Sequence, residues 1–318
     1  MNEIGLGVLG AGIMGERLLR AAPGQGAVRI AGVWDPSTEA LSRLTAAVPG
    51  LTVMGSAAEV IAASDCVYVA SPPATHLPHA RAVLAAGKSL FCEKPLAVDV
   101  AEARAFVADA GSARAAVNFP FASSPAVATL TRWLADHSPA AVDIAVDFAT
   151  WPRGWQHAAA GWLDGPAQGG FTREVLSHFL FLAHRLFGPL VLETATADFP
   201  DAGRSERRIS ARMRAGTVAV QVTGGVGTTT LDDSNSFTVD GALRLRNWSI
   251  AERFENGAWQ PDPAAIPQDR ARPLVLQRQL AAVAAMNRGE PQHLATLGEA
   301  LEVQCIVEAI LSSGPTPM

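Results

Sequence analysis

A glycine-rich turn near the start of the sequence has the spacing of an anion-binding loop. Residues 10–15 (GAGIMG) fit the pattern G-x-G-x-x-G, follow an apolar strand pattern and open a helical one. The first glycine permits a tight turn, the second lets the backbone approach a diphosphate, and the third lets helix and strand pack closely. Free N–H groups at the helix start then face the anion. We therefore predict a dinucleotide site. Its predicted residues are Gly10, Gly12, Ile13, Met14 and Gly15.

An acidic residue ends the second predicted strand. Asp35 lies about 20 residues beyond the turn, where a carboxylate can accept hydrogen bonds from adenosine ribose hydroxyls. The same carboxylate would repel a 2′-phosphate. The sequence therefore predicts NAD as the cofactor, with NADP as the alternative because Arg43 lies nearby. A solvated aspartate after a strand is the purely structural interpretation.

A lysine follows the fifth predicted strand. Residues 91–96 read FCEKPL, and Lys94 is one of only two lysines in the chain, the other being Lys88. Lysine is a compact donor whose pKa shifts readily on burial, whereas arginine stays protonated. A lysine kept here indicates a chemical task, although a Glu93–Lys94 pair on a surface loop is the structural alternative. A cis Lys94–Pro95 peptide is a further hypothesis, since cis bonds are inexpensive only before proline.

Alternating strand and helix patterns over the first 120 residues must position these groups. They predict a doubly wound parallel sheet with helices on both faces. In such a sheet, ligands bind beyond the carboxyl ends of the strands, so the turn, Asp35 and Lys94 would share one edge. The predicted strands are Ile4–Leu9, Val28–Trp34, Leu51–Met54, Cys66–Ala70, Ser89–Cys92 and Ala115–Phe119.

The pattern changes after Phe121. Period-two alternation from Val191 to Trp259 predicts an antiparallel sheet of four to six strands. We predict a Rossmann domain over residues 1–120, an α+β domain with an open, mainly antiparallel sheet over residues 121–318, and a ligand cleft between them. The other predicted elements of the second domain are helix Pro125–His137, strand Val142–Thr150, and helices Thr172–Phe187, Pro273–Arg288 and Thr296–Leu311.

Together these motifs resemble the Gfo/Idh/MocA oxidoreductases. The resemblance rests on the glycine turn, Asp35, residues 71–76 (SPPATH), residues 93–95 (EKP) and a helix led by Gly169-Gly170. It implies NAD(P)-linked redox chemistry on sugars, polyols or related alcohols. It also implies a second domain that binds substrate and oligomerises through its sheet, as a homodimer or homotetramer. Under this resemblance Lys94 is catalytic. The residues it adds to the cofactor site are Ser71, Pro72, Pro73, His76, Glu93 and Lys94.

The resemblance also singles out a histidine helix. Family members typically carry Gly-Gly, then Asp, with His four residues later. Here Glu174 and His178 match that pair, and i, i+4 spacing puts them on one face of an α-helix. His178 would relay the alcohol proton, and Glu174 would orient His178 or contact substrate. Glu174 replaces the usual Asp, and Leu176 and Phe181 also depart from the family pattern. The predicted substrate contacts are Asn118, Trp155, Trp162 and Arg173.

Composition excludes several function classes. The chain has 318 residues, of which 49% are hydrophobic and 17% charged, which argues against a disordered protein. Its net charge of −5 gives no electrostatic footprint for nucleic acid or an anionic membrane. No stretch has the pattern of a signal peptide or a membrane span, so we expect a cytoplasmic protein. The three cysteines, Cys66, Cys92 and Cys305, lack metal-site spacing and are expected to be buried free thiols, with no metal bound.

The sequence thus predicts an NAD-dependent dehydrogenase acting on a small carbohydrate-like alcohol. Lys94, Glu174 and His178 would converge on one pocket, with Lys94 stabilising the developing alkoxide. Whether Lys94 or His178 is the proximal base stays open. One alternative is an NAD-dependent, redox-neutral glycoside-cleaving enzyme, a class that the resembled family includes. The other is a non-catalytic nucleotide-sensing regulator, for which the departures at Glu174, Leu176 and Phe181 are the only hint.

Overall fold

The computed structural model describes residues 3–230 and 232–314. These residues form two compact units. The first contains the chain up to Ser123 together with Arg272–Leu301, and the second contains Ser124–Ala271 and the residues from Glu302 onward. The predicted domains met at residue 120 and assigned everything beyond it to the second domain. In the structure, Arg272–Leu301 instead belongs to the first unit.

A five-stranded parallel sheet forms the centre of the first unit. Its strands are β1 (Ile4–Leu9), β2 (Val28–Trp34), β3 (Cys66–Val69), β4 (Ser89–Cys92) and β5 (Ala115–Val117). The strand order is β2-β1-β3-β4-β5, and every neighbouring pair is parallel. The helices that connect them are α1 (Ile13–Ala21), α2 (Thr38–Ala47), α3 (Ala57–Ala63), α4 (His76–Ala85) and α5 (Val100–Ala110). This arrangement confirms the predicted doubly wound α/β fold.

Local signals explain where these elements start. Strands β3 and β4 are buried along their whole length, as expected for parallel strands covered on both faces. The side chains of Ser37, Ser56 and Asp99 each accept a hydrogen bond from the first turn of the helix that follows. The predicted strand Leu51–Met54 is wrong. Val53 is 44% exposed and forms only an isolated bridge with Val33, so this segment does not extend the sheet, although Leu51 packs against the core of the first unit.

The second unit contains an eight-stranded sheet in the order β13-β12-β11-β10-β6-β9-β8-β7. Its strands are β6 (Ala141–Phe148), β7 (Leu190–Asp198), β8 (Arg208–Ala215), β9 (Val218–Val226), β10 (Ser234–Val239), β11 (Leu243–Arg246), β12 (Ile250–Glu255) and β13 (Ala258–Pro261). Its helices include α6 (Pro125–Leu134), α7 (Ala160–Leu163) and α8 (Ser177–Phe187), and a π-helical segment Thr172–Leu176 runs directly into α8. Strand β8 alternates exposed and buried residues along its whole length, so one face of the sheet is covered there.

The structure confirms a mainly antiparallel sheet but corrects two details. Seven strands lie between Leu190 and Pro261, where four to six were predicted, because β11 and β13 have only four residues each. Strand β6 pairs with β9 in parallel. Period-two alternation is the same for parallel and antiparallel neighbours, so the pattern could not reveal that pair.

Two long helices follow the sheet, α9 (Gln268–Arg288) and α10 (Leu297–Leu311). Leu280, Val283 and Leu294 join Leu6 and Val8 of β1 in one buried apolar cluster. The backbone N–H of Val117 also donates to the carbonyl of Ala295. These contacts explain why the first unit includes Arg272–Leu301.

The three cysteines differ in burial. Cys66 and Cys92 are buried as expected, whereas Cys305 is half-buried. Burial raises the pKa of the Cys66 and Cys92 thiols. Among the residues that the structure describes, no group of three or more His, Cys, Asp and Glu side chains could hold a metal ion. No helix within residues 3–230 and 232–314 combines the length and hydrophobicity needed to cross a bilayer.

Removing the fully buried Leu280 side chain tests whether α9 belongs to the core of the first unit. We expect Leu280→Ala to lower the free energy of unfolding by about 2–5 kcal/mol, because it leaves a cavity beside the parallel sheet. Denaturant unfolding measures this change. Arg278→Ala, at an exposed position two residues earlier, is the control and should cost less than about 0.5 kcal/mol. Equal effects of the two substitutions would contradict the assignment of α9 to this core.

Candidate functional site

The carboxyl ends of the five parallel strands form one continuous edge. Gly10 N–H donates to Trp34 O (2.9 Å), and Ala70 N–H donates to Leu9 O (2.8 Å). Further along, Glu93 N–H donates to Val69 O (2.9 Å), and Asn118 N–H to Cys92 O (2.7 Å). Each segment that leaves a strand is therefore tied to the neighbouring strand. As predicted, the glycine turn, Asp35, Ser71 and Lys94 belong to this edge.

The glycine turn has the geometry that a dinucleotide requires. Gly10 has φ +117°, and a Cβ there would lie 2.5 Å from the Ala70 carbonyl oxygen. A Cβ on Gly15 would overlap the Gly10 carbonyl oxygen, so α1 packs directly on the turn. A Cβ on Gly12 would meet no atom within 4 Å, and Gly12 is the N-cap of α1 with no side-chain cap. The first N–H groups of an α-helix have no partner within the helix, so the open space at Gly12 suits an anion at the start of α1.

Asp35 lies beside this turn. Its Oδ2 accepts a hydrogen bond from Ala11 N–H (2.8 Å), and its Oδ1 accepts one from Ser37 N–H (2.8 Å). Each carboxylate oxygen keeps a further lone pair for another donor. The carboxylate is half-buried. These residues fit an NAD molecule with its diphosphate at Gly12 and its adenosine ribose at Asp35.

Gly12 and Gly15 have different surroundings, so alanine substitutions at the two positions test the dinucleotide site. We expect Gly12→Ala to raise the Kd for NAD by about tenfold or more without changing the melting temperature, because its new methyl group occupies only open space. Gly15→Ala should lower the free energy of unfolding by roughly 1–3 kcal/mol, because its methyl group must separate α1 from the turn. Calorimetric titration and thermal unfolding separate the two effects. Unchanged NAD affinity in Gly12→Ala would argue against this site.

His76 connects the segments that follow β3 and β4. The ring is buried, with Nε2 2.8 Å from Ser71 O and Nδ1 2.7 Å from Pro95 O. A neutral imidazole has one N–H donor, so both contacts are hydrogen bonds only when the ring carries two protons. Pro73 is also buried, in a short 3₁₀ turn, whereas Pro72 is exposed. His76 thereby fixes the backbone on either side of the predicted cofactor site.

Glu93 is the centre of a buried polar cluster. Its Oε1 accepts hydrogen bonds from the Tyr68 hydroxyl and from Asn118 Nδ2 (2.7 Å). Gln279 Nε2, on α9, donates to Asn118 Oδ1 (2.7 Å). Burial raises the pKa of Tyr68 well above its ordinary value, and the charge of Glu93 adds to this effect. Asn118, predicted to contact substrate, is instead fully buried and hydrogen-bonded within this cluster.

Lys94 follows Glu93 directly and is 9% exposed. The Lys94–Pro95 peptide is cis, as hypothesised from the sequence. The other lysine, Lys88, lies between α4 and β4 and is more exposed than Lys94. The chain therefore keeps one of its two lysines near the buried carboxylate at the strand ends.

The second unit carries Glu174 and His178. Glu174 is half-buried and lies in the π-helical segment, whereas His178 is 7% exposed and lies in the first turn of α8. The i, i+4 relation assumed for an α-helix is therefore altered, because π-helical hydrogen bonds span five residues. Such π segments occur frequently at functional sites. The His178 ring lies edge-on to Trp248, with ring centres 5.3 Å apart.

A tight turn presents Trp248 to the His178 helix. Asn247 and Trp248 both have positive φ, 46° and 69°. The Asn235 side chain accepts a hydrogen bond from Trp248 N–H (3.1 Å), and Asn235 N–H donates to the Asn247 side chain (3.3 Å). Trp248 also contacts Phe179, at 5.3 Å between ring centres. This turn fixes one wall beside His178.

Arg173 anchors the start of the π-helical segment. Its Nε and Nη2 donate to the Glu308 carboxylate (2.6 and 2.7 Å), and its Nη1 donates to the carbonyls of Pro166 and Gly169 (2.8 Å each). Sequence reasoning predicted that Arg173 contacts substrate. These contacts instead give it a structural role, because the guanidinium is buried and engaged on every nitrogen.

Two acidic residues of the second unit, Glu206 and Asp164, also accept hydrogen bonds there. Glu206 Oε1 accepts a hydrogen bond from Thr172 N–H (2.7 Å), and a Cβ on Gly170 would overlap the Glu206 carboxylate. Burial raises the pKa of Glu206, which the bond from Thr172 partly offsets. Burial by itself would raise the pKa of Asp164, but hydrogen bonds from Arg207, Arg204 and Ser205 hold it below its ordinary value.

Three tryptophans lie between residues 151 and 162, and they differ in burial. Trp151 is buried and donates to Leu163 O (3.1 Å), so it belongs to the packing of the second unit. Trp155 is 47% exposed, and the Arg153 guanidinium lies 4.6 Å from its ring centre. Trp162 is half-buried. The exposed faces of Trp155 and Trp162 stay candidates for substrate contacts.

The candidate residues are distributed over both units. Lys94 and the predicted cofactor residues belong to the first unit, and Glu174 and His178 belong to the second, so their convergence stays a prediction. Sequence reasoning missed Tyr68, Gln279, Trp248 and Glu206. A tyrosine inside a strand pattern read as buried was a signal for Tyr68, because a buried hydroxyl needs a partner. No comparable signal marked Gln279.

Residues 4–120 match a protein family described as "Oxidoreductase family, NAD-binding Rossmann fold", the Gfo/Idh/MocA family. The matched residues cover the glycine turn, Asp35, His76 and Lys94. No curated protein sequence matches the chain.

Solved structures share the fold along nearly the whole chain. GenD2 from gentamicin A biosynthesis, in complex with NAD, is 22% identical, with 98% of this chain and 94% of that chain covered and a TM-score of 0.79. An oxidoreductase from Thermotoga maritima is 18% identical, with 98% and 97% covered and a TM-score of 0.80. UDP-N-acetylglucosamine 3-dehydrogenase GnnA from Acidithiobacillus ferrooxidans is 16% identical, with 99% and 98% covered and a TM-score of 0.76.

Proposed function

We propose that this chain, a member of the Gfo/Idh/MocA oxidoreductase family with an NAD-binding Rossmann fold, oxidises a hydroxyl group of a carbohydrate-like or polyol substrate. The observation that carries the proposal is the position of Lys94, which is buried at the carboxyl edge of the sheet directly after the fixed Glu93 carboxylate. The names of two structural neighbours, the UDP-N-acetylglucosamine 3-dehydrogenase and an enzyme of gentamicin A biosynthesis, support a substrate related to sugars.

Bound NAD supplies the acceptor for the hydride that leaves the substrate carbon. Lys94 donates a hydrogen bond to the substrate hydroxyl oxygen and stabilises the negative charge that develops on it. A lysine ammonium suits this task because it is a compact point charge on a flexible stem. His76, through its contacts with Ser71 and Pro95, keeps the backbone around Lys94 in place.

His178 takes the proton of the substrate hydroxyl. Histidine changes charge near neutral pH, so it can accept this proton and release it to solvent. Trp248 limits the orientations of the imidazole, since the two rings meet edge to face. Glu174 orients His178 or contacts the substrate from the π-helical segment.

A substrate screen tests the proposed function. The purified protein is incubated with NAD or NADP and a panel of sugars, polyols and nucleotide sugars, and NADH or NADPH is followed by absorbance. We expect steady NADH formation with at least one of these alcohols. Release of a free sugar from a glycoside without NADH accumulation would favour the redox-neutral alternative. NAD binding without turnover on any compound would favour the regulatory alternative.

Lys94 and His178 should act on the same reacting group. We expect Lys94→Ala to leave NAD affinity largely intact and to reduce turnover by about 10²–10⁴-fold, the usual contribution of a general acid or base. His178→Ala should have an effect of similar size. The double variant should lose much less than the product of the two effects, because residues that act as a unit are not additive. Fully multiplicative losses would contradict convergence on one pocket.

Asp35 should determine the preference between the two dinucleotides. We expect the wild type to bind NAD at least about tenfold more tightly than NADP, because the Asp35 carboxylate would repel a 2′-phosphate. Asp35→Asn keeps an acceptor oxygen but removes the charge, so the preference should narrow. Calorimetric titration of both nucleotides measures it. Glu39→Gln, which removes a highly exposed charge on the next helix, is the control. Tighter binding of NADP by the wild type would exclude the proposed role of Asp35.

We further propose that the chain forms a homodimer or homotetramer through its eight-stranded sheet, in a reducing cytoplasmic environment. The support is that alternate residues of β8 and β9 are exposed, including Arg212, Arg214 and Gln221. The buried thiols of Cys66 and Cys92 fit a reducing compartment.

A further inference from the structure

Four buried polar side chains meet from four different elements of the first unit. Tyr68 lies in β3, Glu93 follows β4, Asn118 follows β5 and Gln279 lies in α9. All four are at least nine-tenths buried. Burying a carboxylate and three polar groups costs free energy that an apolar core would avoid. This cost falls at the strand ends, directly before Lys94.

We propose that Tyr68, Asn118 and Gln279 are positioning residues for the Glu93–Lys94 pair: they hold the Glu93 carboxylate in one orientation and thereby fix the position and the electrostatic surroundings of Lys94. This inference rests on the proposed catalytic role of Lys94. It also reassigns Asn118 from substrate contact to positioning.

The hydrogen bonds define the orientation of the carboxylate. The Tyr68 hydroxyl and Asn118 Nδ2 both donate to Oε1 of Glu93, and Asn118 Nδ2 also lies 3.2 Å from the Tyr68 oxygen. Tyr68 stays a donor at neutral pH, because burial and the neighbouring carboxylate raise its pKa. Its ring stacks on Phe91 at 5.2 Å, so the hydroxyl is held in place. The carboxylate therefore cannot rotate without breaking two buried hydrogen bonds.

Gln279 determines which way the Asn118 amide points. Gln279 Nε2 donates to Asn118 Oδ1, which leaves Asn118 Nδ2 directed at Glu93. The Oε1 of Gln279 has no hydrogen-bond partner among the residues that the structure describes. An unsatisfied buried acceptor is costly, so Gln279 is poorly explained by stability alone. Its contact with Asn118 extends the cluster from the sheet edge to α9.

The two-lysine composition of the chain allows a direct readout. Protein labelled with ¹³C-lysine should show two side-chain signals by NMR, from Lys94 and from Lys88 as internal reference. The key variant is Tyr68→Phe, which keeps the stacked ring and removes only the hydroxyl donor. We expect the Lys94 signal and its titration with pH to change in this variant, while the Lys88 signal stays the same. Gln279→Leu should change the Lys94 signal in the same direction.

Ser89→Ala is the matched control. The Ser89 hydroxyl is also buried and also connects β4 to α9, through a 2.8 Å hydrogen bond to Asn287. It lies at the opposite end of β4 from Glu93. Loss of this hydroxyl should lower the melting temperature about as much as Tyr68→Phe does, without moving the Lys94 signal.

The turnover number kcat is the second readout, and it can be measured once a substrate is known. We expect Tyr68→Phe to reduce kcat by about 10–100-fold, the effect of leaving a buried charged acceptor without one donor, with little change in the Kd for NAD. The pH profile of kcat should shift relative to the wild type, and Ser89→Ala should preserve both. An unchanged Lys94 signal in Tyr68→Phe, or equal changes in Tyr68→Phe and Ser89→Ala, would overturn the inference. A wild type inactive on every alcohol would overturn only the proposed function, because the NMR result does not depend on turnover.

Discussion

The carboxyl group of Glu93 is a buried polar group, and a buried polar group must be hydrogen-bonded. Two donors come from the strands on either side of β4, Tyr68 inside β3 and Asn118 just after β5. The third member of the cluster, Gln279, comes from α9, which follows the eight-stranded sheet of the second unit in sequence. The apolar contacts of Leu280 and Val283 bring that helix to the parallel sheet. The core packing of α9 and the polar cluster at the strand ends therefore depend on each other.

The same logic applies to the backbone at this edge. Parallel strands end in N–H and C=O groups that need partners, and here each segment leaving a strand bonds to the strand beside it. His76 adds a link between the segments after β3 and β4. Functional side chains are most accurately placed when their supporting groups are themselves fixed. Both the glycine turn and Lys94 satisfy this condition within the first unit.

Sequence patterns predicted most of the first unit because its signals are local. The glycine spacing, the aspartate at a strand end and the continuous apolar strands each follow from a few adjacent residues. The wrong predictions concern segments whose structure depends on contacts with residues far away in the sequence. Residues 51–54 have a strand-like composition, but only Val33 bonds to them. The pairing of β6 with β9 joins segments far apart in the chain, and the roles of Arg173 and Asn118 depend on Glu308 and Gln279. No local pattern contains that information.

The second unit positions His178 with interactions that differ from those around Glu93. The segment before His178 is held by ionic and glycine contacts: Arg173 binds Glu308, and the Glu206 carboxylate fills the space that a side chain at Gly170 would occupy. These contacts fix the start of a π-helical segment, a rare conformation that occurs mostly as a single turn inside an α-helix. A regular α-helix would rotate every residue after it to a different direction, His178 included. The anchors at Arg173 and Glu206 therefore bear directly on where the imidazole points, and any role of Glu174 must be judged against this π-helical geometry rather than against an α-helix.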